Sequence, residues 1–206
     1  MEGRNPTLLF SEEGFNIQKK KGKRPRLRLI RGGYPCEISL GSVRIVAAPE
    51  DRPPFPVDAV VFEEDTFLVL SANPEVRDPN EPLLQVMTRV IETPLETPGS
   101  VLVKGNHPIH LLAIVHDLNL EPSWKEEWIA SALDAIFKEA EGRRLQSIAL
   151  PFLGTLHGSL DKERFVVLLK CALERISAKH LKRLWLGVPA GTRSKILEIF
   201  ESRPQK

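Results

Sequence analysis

Ser147-Ile148-Ala149-Leu150-Pro151-Phe152-Leu153-Gly154-Thr155-Leu156-His157-Gly158-Ser159 carries a short apolar run through a loop of small residues toward an amphipathic segment. Ile148, Ala149 and Leu150 follow the polar Gln146 and Ser147 and read as a strand covered on both faces. Pro151 has no N–H to donate, so ladder pairing stops there. Gly154 and Gly158 admit positive φ or a close backbone approach. Asp161-Lys162-Glu163-Arg164 then opens a helix, whose first N–H groups lack an intrahelical acceptor. Such a turn aims several backbone donors at one point and can hold an anion without a basic side chain. Glycine-rich turns also serve as plain strand-to-helix connections, and the turn alone does not separate the two readings.

The flanks supply the architecture. Ser123 and Glu126 have capping-box spacing, and Trp128, Ile129, Ala132, Leu133, Ile136, Phe137 and Ala140 recur on one helical face until Gly142. Phe165, Val166, Leu168, Leu169, Ala172, Leu173 and Ile176 repeat that pattern, and residues 184–188 read as another buried strand. Thr192 is placed to cap a last helix carrying Ile196, Leu197, Ile199 and Phe200. Upstream, residues 43–48, 57–62, 100–103 and 109–115 are strand candidates, and Asn80 or Glu81 starts a helix that Pro94 ends. About six strands and four helices in alternation predict a three-layer α/β/α sandwich with a mixed central sheet. Its ligands are expected at the carboxyl ends of the strands.

Charge divides the chain. Residues 1–35 hold nine Lys/Arg against three Glu, a net +6 that leaves −4 for residues 36–206 of a chain whose total is +2. The organisation expected is a basic N-terminal extension, 1–35, followed by one domain, 36–206. Lys19, Lys20, Lys21, Lys23, Arg24, Arg26 and Arg28 form the basic cluster, and a strand bearing them would attract nucleic-acid phosphates in a salt-dependent way. The other reading is an arm that keeps an edge strand soluble. Two cysteines, Cys36 and Cys171, are too few for a disulfide framework. Cys171 falls in the apolar stripe of its helix. No long apolar run suggests a membrane partner, and a cytoplasmic location is expected. His107, His110 and His116 do not make a metal set, since a spacing of three puts the first two on opposite faces of a strand. No Gly-x-Ser-x-Gly elbow is present, and the sequence implies neither a metal nor a cofactor.

The succession Val57-Asp58-Ala59-Val60-Val61, Pro98-Gly99-Ser100-Val101-Leu102-Val103, Leu112-Ala113-Ile114-Val115-His116 and Ser147-Ile148-Ala149-Leu150-Pro151 with Gly154-Thr155 resembles a divergent macro domain. The likeness runs from about Gly41 to Phe200. It implies an α/β/α module with a pocket for ADP-ribose or a related nucleotide. By that resemblance Asp51, beside Glu50, stands where family members accept from the adenine amino group. The loop Gly154, Thr155, Leu156, His157 and Gly158 stands where they wrap a phosphate. Phe62-Glu63-Glu64-Asp65 replaces the family's asparagine-alanine-alanine-asparagine motif, which leaves Asp65 to accept from ribose hydroxyls. Three successive carboxylates would repel a diphosphate unless they point elsewhere. The family's first glycine-rich stretch is also absent, with only Ser71 or Asn73 to make the turn, and Leu156 takes the place of a glycine in the second loop.

The resemblance thus implies a nucleotide or ADP-ribose-type binding module with a degenerate pocket and no assigned catalytic residue. An ADP-ribosyl hydrolase or phosphatase is the enzyme alternative, with His116, His157 or Asp65 as the groups near enough to activate water. A nucleic-acid-associated or protein-interaction module using the basic arm is the third.

Overall fold

The computed structural model describes residues 36–70, 95–188 and 198–200. The basic extension, the helix expected over 80–91, the Ser71 and Asn73 turn, and all but the end of the helix expected from Thr192 lie outside the described residues. Among the described residues, seven strands make one mixed sheet: β1 (Cys36–Leu40), β2 (Val43–Pro49), β3 (Ala59–Asp65), β4 (Val101–Lys104), β5 (Ile109–His116), β6 (Ser147–Leu150) and β7 (Arg183–Val188). Their order across the sheet is β1-β2-β7-β6-β3-β5-β4. The inner five strands run parallel, and β1 and β4 close the edges antiparallel to β2 and β5. β1 is one strand more than the sequence pattern implied. It pairs back on β2 through the tight Gly41-Ser42 turn, with Leu40 opposite Val43.

Two helices, α1 (Glu126–Gly142) and α2 (Lys162–Arg175), pack on the face of the sheet that carries Ile45, Ala59, Val61, Leu111, Ala113, Ile148, Leu150 and Leu184. The result is an α/β sandwich. Ile129, Ala132, Leu133, Ile136, Phe137 and Ala140 of α1 are all fully buried, as their spacing predicts. Each large apolar side chain buried there contributes about 1.5–3 kcal/mol before chain entropy is counted. The opposite face holds a smaller cluster of Ala48, Ala149 and Trp185, with Phe55, Val57 and Val60 against it. Neither described helix is long and apolar enough to cross a membrane.

Three local expectations change. Ser123 does not cap α1: the N-cap is Lys125, without a side-chain hydrogen bond, and the Ser123 hydroxyl turns toward His116. The first amides of α2 are not open, because Asp161 caps them by accepting from Glu163 N and Arg164 N. Cys171 is exposed, since the buried stripe of α2 runs through Leu169, Lys170, Ala172 and Leu173 and leaves it outside. Lys170 reaches out of that stripe to donate to the Ile199 carbonyl, 3.1 Å away.

The functional end of the sheet follows from how β3 and β6 pair. They are in register only at Ala59 with Ile148 and Val60 with Ala149. At the start of β6 Asp58 clamps them, its Oδ2 accepting from Gln146 N at 2.7 Å and Ser147 N at 2.9 Å. At the other end Pro151 stops β6 while β3 continues beside β5 to Asp65. The loop after β3 bends toward β5, with Thr66 N on the His116 carbonyl, whereas the loop after β6 leads through α2 to β7. Neighbouring strands whose loops leave in opposite directions open a crevice between them.

Candidate functional site

A cavity of about 610 Å³ occupies that crevice. Its walls are mainly apolar, drawn from Val60, Val61 and Phe62 of β3, Ala149 and Leu150 of β6 and Trp185 of β7. Four ionisable side chains line it among the described residues: Glu50, Glu63, His157 and Lys162. Mostly apolar walls with a few placed polar groups are what a small organic ligand requires.

The acidic run at the end of β3 separates into inward and cavity-facing groups. Glu64 and Asp65 are fully buried and serve the backbone. Asp65 accepts from Phe67 N at 2.6 Å and Val69 N at 3.0 Å, and Glu64 accepts from Leu70 N at 2.6 Å. Both carboxylates therefore shape the loop that returns from β3. Asp65, the candidate for ribose hydroxyls, does not line the cavity.

Glu63 does line it. Period-two alternation puts it on the face of Ala59 and Val61, toward α1, and its side chain is 8% exposed. A charge at that register needs partners, and both of its oxygens have them. Oε2 accepts the Gly154 N–H at 2.8 Å, and Oε1 lies 2.6 Å from His116 Nε2. His116 Nδ1 is 3.2 Å from Ser123 Oγ. In the tautomer that carries its proton on Nε2, the imidazole donates to Glu63 and accepts the serine hydroxyl at Nδ1, so every group in the row has a partner. Ser123, His116 and Glu63 thus tie the loop before α1, the end of β5 and the end of β3 to the loop after β6.

That last loop is built by its glycines. Gly154 has φ +74°, and a Cβ there would strike Ile129 of α1. A Cβ at Gly158 would meet Trp124 at 2.9 Å and the Gly154 carbonyl more closely still. Glycine at both places keeps the loop pressed on α1 and on the segment before it. Thr155, Leu156 and His157 line the cavity, while Gly154 and Gly158 shape the loop behind it. Leu156 is 80% exposed, so the leucine in place of a glycine projects from the loop and leaves the cavity open. The Gly154 amide is taken by Glu63 and the Thr155 amide by the Phe152 carbonyl at 3.3 Å. Among the described residues, the amides of Leu156, His157 and Gly158 meet no protein acceptor.

Glu50 and Lys162 complete the polar lining. Glu50 follows β2 and packs on Gly187 of β7, where a Cβ would lie 3.0 Å from its Cγ. Burial pushes the Glu50 carboxyl above its ordinary value, and the Lys162 charge partly offsets this. The carboxylate at this end of the cavity is therefore Glu50. Asp51, expected to meet the base, lies outside the lining, 76% exposed and 3.8 Å from Arg52 Nε. His157 is exposed at the mouth, its ring 6.4 Å from that of His116. The sequence pattern did not single out Glu50, Glu63 or Lys162 as site residues. For Glu63 a signal existed, since it shares the strand face of Ala59 and Val61.

No family model matches the chain, and no curated protein matches its sequence. Solved structures do match. The macrodomain of Thermus aquaticus DarG aligns with a TM-score of 0.52 at 19% identity, over 70% of this chain and 98% of that one. The macrodomain of Mycobacterium tuberculosis DarG gives 0.51 at 15%, over 70% and 97%. The Oceanobacillus iheyensis macrodomain with ADP gives 0.57 at 12%, over 80% and 92%. At such identities the likeness is one of fold, and the fold is the one the sequence resemblance implied.

Proposed function

With the macrodomain fold as premise, we propose that this chain binds a nucleotide or ADP-ribose-type ligand in the crevice between β3 and β6. The observation that carries the reading is the cavity of about 610 Å³ at the carboxyl ends of parallel strands, lined by Leu156 and His157, whose amides meet no protein acceptor among the described residues. The base sits against Trp185 and Ala149 with Glu50 as its polar partner, and a phosphate is held by the amides of Leu156 and His157 with Lys162 nearby. The Oceanobacillus iheyensis macrodomain was solved with ADP and, as a mutant, with ADPR, which supports an adenine nucleotide or a relative of one as the kind of ligand. Binding without turnover is favoured over hydrolysis. Of the three groups considered for activating water, Asp65 is spent on backbone amides and His116 is buried between Ser123 and Glu63, which leaves His157 alone at the cavity.

Isothermal calorimetry with adenosine, AMP, ADP and ADP-ribose tests this. Heat of binding is expected from at least one nucleotide, with Lys162→Ala weakening the phosphate-bearing ligands by several-fold more than adenosine. Silence from all four at millimolar concentration removes the reading.

A further inference from the structure

A ligand laid across the strand ends meets the sheet in the order β2, β7, β6, β3. Starting from Glu50 after β2 and Trp185 on β7, it passes the loop after β6 and then arrives at the end of β3. There stands Glu63, whose carboxylate already fills the acceptor place on the Gly154 amide. Among the described residues the donors on this path are few. Asp161 has taken the Glu163 and Arg164 amides, Glu63 has taken Gly154, and Phe152 has taken Thr155. Among the described cavity-lining residues the loop amides of Leu156 and His157 remain, about enough for one phosphoryl group. Among the described lining residues Lys162 is the one fixed cation, against two carboxylates, Glu50 and Glu63.

We propose that Glu63 is a built-in anion that limits the cavity to nucleotides with a single phosphate, turning away a pyrophosphate whose second group would lie against it. This rests on the nucleotide reading of the same cavity. The Glu63 charge sits 8% exposed and is held from two sides, by Gly154 N–H and by His116. It cannot swing aside without leaving the buried Gly154 amide and His116 Nε2 unpartnered, and like charges in a partly dry site repel strongly.

The test compares AMP with ADP and ADP-ribose on the wild type and on Glu63→Gln. The glutamine keeps the side chain's shape and an oxygen for Gly154 N–H while removing the charge. In the wild type AMP should bind at least tenfold tighter than ADP or ADP-ribose. In Glu63→Gln, the ADP-to-AMP affinity ratio should rise by tenfold or more. A wild type that binds ADP or ADP-ribose as tightly as AMP overturns the charge filter, as does a ratio that stays fixed in a folded Glu63→Gln. Should that variant not fold, the wild-type ratio alone decides. Binding of none of the three to the wild type overturns the nucleotide reading and this inference with it.

Discussion

Replacing Gly154 by alanine tests the geometry that presses the loop after β6 onto α1. The residue has φ +74°, where an L side chain costs about 1–2 kcal/mol. Its new Cβ also collides with Ile129 Cδ1, while Ile129 Cγ1 and Leu160 Cβ, both at 3.5 Å, remain in ordinary contact. Ile129 is fully buried in α1, so relieving the collision means repacking a filled core, at about 1–3 kcal/mol. The sum is about 2–5 kcal/mol of lost stability, read from urea denaturation. The two parts separate in a cycle with Ile129→Val, which deletes only the colliding methyl. In the native background that deletion costs about 0.5–1.5 kcal/mol. Combined with Gly154→Ala it should cost nothing or stabilise, leaving only the backbone strain. Additive effects within about 0.5 kcal/mol would show that the methyl is not what a Cβ meets, and a Gly154→Ala protein as stable as the native one would remove the strain argument altogether.

Two further substitutions probe the ends of the crevice. Asp58→Ala takes the acceptor from Gln146 N and Ser147 N at the start of β6 and should cost about 2–4 kcal/mol in denaturation. Asp58→Asn, which keeps an oxygen, recovers part of it, and a loss below about 0.5 kcal/mol would count against the clamp. Glu50 has a folded pKa raised by burial, so the folded state holds its proton more tightly than the unfolded chain and native stability falls as pH climbs through the interval above the ordinary carboxyl value. Glu50→Gln should therefore melt higher relative to wild type at about pH 7 than at about pH 4, with weaker nucleotide binding. A melting gap that is flat or reversed between those pH values contradicts the burial argument.

Much of the fold was legible because it is written in short-range periodicity. The stripe from Ile129 to Ala140 needs only 3.6-residue spacing, and residues 148–150 need only an apolar run stopped by proline. β1 escaped because Cys36-Glu37-Ile38-Ser39-Leu40 is a short edge strand beside a basic run, where charge masks alternation. Ser123 has the spacing of a cap, yet a buried imidazole was the stronger claimant for its hydroxyl. Of the candidate ligand residues, Thr155, Leu156 and His157 reach the cavity. Asp51 and Asp65 do not, because a carboxylate near a strand end has two available fates, solvent or nearby amides, and sequence does not choose between them.

Local order along the chain was enough to establish that strands alternate with helices and that a glycine-bearing loop follows a buried strand where an α/β ligand site is expected. The partners of Glu63 lie 53 and 91 residues away, and they meet it only because β3 runs between β5 and β6. Periodicity reports which way a side chain faces relative to its own element. Which groups stand opposite it depends on strand order and on where each strand stops, and those follow from the packing of the whole core.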